Sequence, residues 1–150
     1  TNLLKPGGLM KIALYSELAR QHIVEVRKKI TLLRVGTSKS EIRKFRRSLV
    51  ESNEENHQRL TKSSDFFNLS TLRDLIFHVQ EHRFSLSKIK NCLDELGLKF
   101  CGFENKDTIL NFRRFHGKDA DIYDLALWHQ YEESNPHAFA EMYQFWCQKT

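Results

Sequence analysis

Two histidines and a glutamate near the middle of the chain form its most recognisable chemical pattern. His78, Glu81 and His82 match H-x-x-E-H, in which two histidines one helical turn apart hold zinc while the glutamate activates a water molecule. A catalytic zinc ion also needs a third protein ligand and an open coordination position. The pattern has only three fixed letters and stands directly before an element that begins near Phe84. Because motifs this short often arise by chance, the sequence favours no metal site here.

Other reactive side chains do not form a catalytic pattern. Cys92, Cys101 and Cys147 are odd in number, widely spaced and set among apolar neighbours, which is typical of buried thiols rather than of disulfides or zinc ligands. No local Ser-His-Asp or Cys-His arrangement supports nucleophilic catalysis. None of the six glycines stands in a G-x-G sequence, so no phosphate-cradling loop is predicted.

Length and composition favour one domain over residues 1–150. A chain of 150 residues with 40% hydrophobic side chains can bury a substantial core. No apolar run is long enough to span a bilayer, and no charged-then-apolar leader with a small-residue cleavage site appears. We therefore expect a soluble, cytoplasmic protein without a membrane partner.

The positive charge is concentrated in the first part of the chain. The net charge is +5, and residues 1–63 contribute 14 Lys and Arg against 6 Asp and Glu, whereas residues 64–150 contribute 10 against 13. Such a basic excess can attract nucleic acid or an acidic protein through counterion release. Aromatic residues are not interleaved with these cations, which favours a solvated helix face over a base-stacking surface.

The chain opens with a turn that leads into a strand. Leu3 and Leu4 are typical of the last turn of a helix, the Pro-Gly-Gly sequence at positions 6–8 predicts a turn, and the alternation from Leu9 to Tyr15 predicts a buried strand. Ser16 is then placed to cap a helix with an apolar stripe, which Gly36 ends. Ser38 and Glu41 have the spacing of a capping box for the next helix.

The remaining segments are predicted to be mainly helical. The polar stretch 52–64 predicts a mobile connection, with a short helix over 54–60 as the alternative. Ser70 is placed to cap a short helix that includes Val79, and a helix from Leu86 ends at Gly97 before a strand over 98–104. From residue 106 onward only helices are expected, near 106–114, 119–133 and 137–148, with the last two forming a hairpin that buries its large aromatic rings.

Two of these stretches resemble class I S-adenosylmethionine-dependent methyltransferases. Leu4-Lys5-Pro6-Gly7-Gly8 is similar to the turn that these enzymes often carry before the fifth strand of their Rossmann-like sheet. Phe84-Ser85-Leu86 is similar to their aromatic-Thr-Leu helix start, with Ser in place of Thr, and Gly97 leads into a strand as at their sixth strand. The resemblance covers residues 3–104. It implies an α/β fragment of an incomplete Rossmann-like sheet, predominantly helical, with two or three strands and a helical C-terminal extension.

The same resemblance implies that this chain is the C-terminal, substrate-side portion of a longer methyltransferase. In the family, S-adenosylmethionine is held by a glycine-rich loop after the first strand and by an acidic residue ending the second. No G-x-G loop occurs here. The cofactor is therefore expected to bind to a missing N-terminal half, no cofactor-binding residue is expected in this chain, and the chain alone is not expected to catalyse transfer.

Seven residues are the candidates for contact with the acceptor. Tyr15 and Ser16 end the first predicted strand, and ligands enter open α/β sheets at the carboxyl ends of strands. Five further residues border the acceptor pocket under the methyltransferase interpretation, where a histidine or carboxylate could orient or deprotonate the acceptor. These are Arg73, Asp74, His78, His82 and Arg83. The alternative is an ordinary hydrogen-bonded network in which Arg73 or Arg83 pairs with Asp74 or Glu81.

Two other classes of function stay open. The chain could be a helical binding module whose basic first half meets nucleic acid or an acidic protein. It could also assemble as a homodimer, because a sheet without its partner strands exposes unpaired edges.

Overall fold

The computed structural model describes residues 3–78 and 80–150 and divides into two compact units. Residues 3–19 and 82–150 form the first, which we call the sheet unit, and Arg20–Glu81 form the second, which we call the helical unit. The helical unit is one continuous stretch of chain, whereas the sheet unit is assembled from two. The prediction of a single domain concerns whether the units fold together, and it stays a prediction.

The described residues form a mixed α/β structure with seven α-helices and four strands. In chain order these are β1 (Leu9–Ser16), α1 (Gln21–Leu32), α2 (Lys39–Val50), α3 (Glu55–Thr61), a 3-10 turn (Ser64–Phe66), α4 (Leu69–Phe77), β2 (Arg83–Phe84), α5 (Leu86–Glu95), β3 (Leu98–Phe103), α6 (Lys106–His116), α7 (Leu125–Ser134) and β4 (Tyr143–Lys149).

The four strands form one mixed sheet in the order β2-β1-β4-β3. β2 runs parallel to β1, and β4 is antiparallel to both of its neighbours, β1 and β3. Consequently β1, β2 and β3 all run in the same direction, and the carboxyl ends of these three strands lie at one edge of the sheet.

The turn and strand at the start of the chain are confirmed. Gly7 has a φ of +75°, a backbone conformation that side-chain-bearing residues rarely adopt, and the Gly8 amide donates to the Lys5 carbonyl at 2.9 Å. β1 then follows with alternating exposure, but it is not the buried strand that was predicted, because every second residue from Leu9 to Ala13 is exposed and the others up to Tyr15 are half-buried. The expected helix end at Leu3 and Leu4 is not found, because both residues lie in turn and bend conformations.

The expectation of a helix over 137–148 is wrong. Residues 143–149 form β4, the strand between β1 and β3, so the described residues form four strands rather than the two or three expected, and residues 137–149 do not form the second helix of a hairpin. Tyr143, Phe145 and Cys147 are buried at every second position, while Gln144 and Trp146 point away from them. Short runs rich in aromatic residues fit helix or strand by pattern, and ladder partners on both sides decide for the strand. α7 also begins later than predicted, at Leu125.

An aromatic core packs one face of this sheet against its helices. Phe112 of α6 stacks on Trp128 of α7 with ring centroids 3.9 Å apart, and Phe103 of β3 contacts Trp128 at 4.8 Å. Leu86, Ile89 and Leu93 of α5 join the same cluster. The turn before β3 is also confirmed, since Gly97 has a φ of +62°.

One of the two edges of β1 lacks a paired strand along most of its length. β1 pairs with β4 from Leu9 to Leu14, but with β2 only at Tyr15 and Ser16. Within the part of the chain that the structure describes, the outer edge of Leu9–Leu14 therefore has no strand partner. A homodimer through this edge stays a prediction.

The helical unit packs α1 to α4 around its own apolar cluster. The capping box of α2 is confirmed, with the Ser38 side chain accepting from the Glu41 amide and Glu41 reaching back to Ser38. Residues 55–61 form α3, whose His57 and Leu60 are buried. This is the short helix named as the alternative for the stretch 52–64, whose mobility stays a prediction.

Three helix boundaries in the helical unit differ from the predictions. α1 begins after Arg20 rather than after Ser16, and it ends in a Schellman-type turn with Arg34 at a φ of +50°, two residues before Gly36. Asn68, not Ser70, caps α4 by accepting from the Ser70 and Thr71 amides. Val79 lies outside the described residues. Among the residues that are described, no helix combines the length and apolar character needed to cross a membrane.

Candidate functional site at the carboxyl edge of the sheet

Polar side chains from three elements of the sheet unit meet at the edge where β1, β2 and β3 end. Ser16 is the last residue of β1, Tyr143 is the first residue of β4, and Glu132 lies in the last turns of α7. All three are at most 1% exposed. The antiparallel register pairs Leu14 with Tyr143, which explains why the start of β4 lies beside the end of β1.

These residues form a closed hydrogen-bonded cluster around one carboxyl group. The Ser16 hydroxyl donates to Glu132 Oε1 at 2.6 Å, and the Tyr143 hydroxyl lies 2.7 Å from both carboxyl oxygens. Ser16 Oγ also accepts from the Ala19 amide at 3.0 Å. A buried carboxyl group is costly unless it is hydrogen-bonded, and here both of its oxygens are.

Burial controls the acidity of the cluster. Removal from water raises the pKa of Glu132, and the hydrogen bonds from Ser16 and Tyr143 and the nearby His129 act in the opposite direction. Burial also raises the pKa of the Tyr143 phenol, and the neighbouring Glu132 charge adds to that shift. Tyr143 is therefore a hydrogen-bond donor to Glu132 and not an available base.

An open cleft of about 400 Å³ lies at the same edge, between the end of β3 and the loop before β4. This size is within the usual range of small-molecule sites. The lining includes no lysine or arginine. Glu104 at the cleft pairs with Lys11, whereas Glu141 is exposed. The polar groups of the lining are Glu104, Asn105, Thr108, His137, Glu141 and Gln144.

The structure separates the seven predicted acceptor residues into two groups. Tyr15, Ser16 and Arg83 come together in the sheet unit, because Tyr15 pairs with Arg83 across the β1–β2 ladder. The exposed His82 directly precedes β2. Arg73, Asp74 and His78 belong to the helical unit, where all three are exposed. A role in acceptor binding stays a prediction for all seven.

The zinc-type pattern does not have the geometry that such a site requires. α4 ends at Phe77, so His78 and His82 do not stand one turn apart on a helix. Glu81 is bound instead by two guanidinium groups of the helical unit, from Arg20 at 2.7 Å and Arg27 at 3.0 Å. Over residues 3–78 and 80–150, no group of three His, Cys, Asp or Glu side chains could hold a metal ion.

The expectation that S-adenosylmethionine binds to residues outside this chain stays a prediction.

Comparison with known proteins assigns the chain to no family: no family model matches it, and no curated protein matches it.

The buried cluster and the cleft were both missed from sequence. Glu132 stands one helical turn after Trp128 on the buried face of α7, but a carboxyl group is seldom buried, so the helical pattern alone did not predict its burial. Tyr143 was expected only to bury an aromatic ring in a helix. The signal that could have found them is the alternation of Tyr143, Phe145 and Cys147, because a strand there brings Tyr143 to the sheet edge where β1 ends.

Proposed function

We propose that this chain is the substrate-side portion of an S-adenosylmethionine-dependent methyltransferase, with the cofactor held by residues outside the chain. One observation carries the proposal: β1 and β3, the strands that the resemblance assigns as fifth and sixth of a Rossmann-like sheet, run parallel and end at one edge, beside a cleft. In open α/β sheets ligands bind at the carboxyl ends of the strands.

The two turns that carry the resemblance also support the proposal. Gly7 precedes β1 and Gly97 precedes β3, and both have positive φ values, +75° and +62°. Glycine at these positions is therefore a requirement of the backbone and not an accident of composition. A helix over residues 10–14 would have contradicted the proposal, because the resemblance places a strand there.

The cleft is the proposed contact surface for the methyl acceptor. Its lining includes Glu104 and Glu141 but no cationic side chain, so it is suited to a neutral or cationic acceptor group better than to a phosphate. Aromatic rings of Phe103 and Phe139 form its apolar wall. The buried Ser16–Glu132–Tyr143 cluster holds β1, α7 and β4 together behind that edge.

The test uses the natural gene product that contains these residues. Isothermal titration calorimetry should show that it binds S-adenosylmethionine, while the 150-residue chain alone does not. Absence of binding by the natural product would end the proposal.

A second measurement addresses the cleft. In the natural product, Glu141→Gln should lower the transfer of labelled methyl groups from S-adenosylmethionine into a cell extract about fivefold or more, without changing cofactor affinity. The matched control is Glu133→Gln, an exposed carboxylate outside the cleft lining. Equal methyl transfer by both variants would show that the cleft is not part of the acceptor site.

A further inference from the structure

The helix α2 carries almost all of the excess positive charge of the protein. It contains five cations and one carboxylate, a net charge of +4, while the whole helical unit has 13 Lys and Arg against 8 Asp and Glu and the sheet unit has 11 of each. The single carboxylate, Glu41, is engaged in the capping box with Ser38. Glu41 thus offsets one of the five cations, and the helix keeps a net charge of +4.

Four of the cations lie on the solvent side of the helix. Lys39, Arg43 and Arg47 follow each other at intervals of four residues, which places them in one row about 6 Å apart along the axis. Lys44 is exposed beside the row, and the opposite side buries Ile42, Phe45 and Leu49. None of these four cations forms an ion pair with any carboxylate of residues 3–78 and 80–150.

The backbone of a residue with an exposed aromatic ring is hydrogen-bonded to α2. Phe67 is 72% exposed, and its carbonyl accepts a hydrogen bond from Arg46 of α2 at 3.1 Å. The preceding Phe66 is 2% exposed and contacts the Phe67 ring edge-on at 5.8 Å. The buried ring thus anchors the segment, and the Phe67 ring remains in solvent while its carbonyl is bound to α2.

We propose that α2 and Phe67 form a binding surface for single-stranded nucleic acid. A row of cations matches a chain of phosphates, and an exposed ring supplies the stacking platform that unpaired bases require. An acidic peptide would use the cations but has no need of the ring. An anionic membrane would use both, but any apolar side chain would serve it as well as a ring.

The test is fluorescence anisotropy of the 150-residue chain with a fluorescein-labelled 12-nucleotide oligothymidylate at 50 and 200 mM salt. Three or four phosphate contacts predict an affinity that falls about 20- to 50-fold over this interval. The double variant Arg43→Gln with Arg47→Gln should weaken binding at 50 mM about tenfold or more and lower the salt slope by about 1.4. The charge control is Arg113→Gln with Lys118→Gln, two exposed cations of the sheet unit, which should leave affinity unchanged.

The role of the Phe67 ring is tested by replacing it with an apolar side chain that is not flat and with another aromatic ring. Phe67→Leu should weaken binding about fivefold or more, because it keeps an apolar side chain but loses the stacking face, and Phe67→Trp should retain wild-type affinity. Leu33→Ser, which removes an exposed apolar side chain of the same unit, is the matched control. Circular dichroism confirms the fold of each variant.

Four results would overturn the proposal. They are no binding at 50 mM salt, equal affinity of Phe67→Leu and wild type, equal affinity of the α2 double variant and wild type, or binding to phosphatidylserine vesicles without binding to the oligonucleotide. All of these measurements are independent of S-adenosylmethionine, so they succeed or fail separately from the methyltransferase proposal.

Discussion

At the scale of single residues, the buried carboxyl group of Glu132 dominates the chemistry of the sheet unit. Its two oxygens accept from the Ser16 and Tyr143 hydroxyls, and no sequence neighbour of Glu132 takes part in these two bonds. Removing the Glu132 carboxyl would leave the Ser16 and Tyr143 hydroxyls buried without this acceptor, which costs about 1–3 kcal/mol for each polar group. The cluster therefore couples β1, α7 and β4 through one side chain.

Glu132 should make stability decrease as the pH rises. Because burial raises its pKa above the ordinary value of 4.5, the folded protein binds a proton that the unfolded chain has already released. The wild type should therefore lose up to about 1.4 kcal/mol for each pH unit between 4.5 and the raised pKa. In Glu132→Gln this decrease should be absent when urea denaturation is followed from pH 4.5 to 8.

The control is Glu133→Gln, which changes the exposed carboxylate next in sequence. That variant should keep the wild-type dependence on pH. A wild-type pH dependence in Glu132→Gln would show that Glu132 does not carry the effect.

At the scale of elements, the placement of β4 decides the architecture of the sheet unit. The sequence predicted a helix here because the closely spaced aromatic residues fit the helical period as well as the strand period. β4 instead supplies the ladder that joins β1 to β3, and Phe145 pairs with Ile12 on one side and Phe103 on the other. The strand partners of β4 lie 129 to 139 positions away in β1 and 42 to 51 positions away in β3. Pairing over such separations has no local signal, so it could not be predicted from residues 137–149 alone.

Two neighbouring aromatic residues test this strand. Phe145 is 1% exposed and Trp146 is 40% exposed, as expected for opposite faces of a sheet. Phe145→Ala should lower the free energy of unfolding by about 3–5 kcal/mol, while Trp146→Ala should cost about 1 kcal/mol or less. Denaturant unfolding measures both, and equal losses would contradict the alternation.

At the scale of the whole molecule, two separate apolar clusters divide the chain. One belongs to the sheet unit and the other to the helical unit, which occupies the sequence between β1 and β2. The composition predicted enough apolar residues for a core. It did not indicate where one unit ends and the other begins, because both units contain the same residue types. The charge difference between residues 1–63 and 64–150 did not indicate the division either, because its boundary lies inside the helical unit.

Hydrogen exchange can determine whether the units unfold separately. Leu49→Ala in the helical unit and Leu93→Ala in the sheet unit each remove a buried side chain and should cost about 2–5 kcal/mol. If the clusters are independent, Leu49→Ala accelerates exchange within residues 20–81 and leaves the β1–β4 ladder protected, and Leu93→Ala does the reverse. Uniform acceleration in both variants would instead confirm a single cooperative domain.

The sequence by itself determined the features that depend on contacts within one turn of chain. The Pro-Gly-Gly turn before β1, the capping box of α2 and the glycine before β3 each rest on residues a few positions apart, where backbone sterics and capping hydrogen bonds act alone. The tertiary structure alone decided the central position of β4, the cluster in which Ser16 meets Glu132 across 116 positions, and the placement of Phe67 beside Arg46. These contacts depend on the burial of apolar surface by the whole chain, which sets where distant segments meet and which no local pattern records.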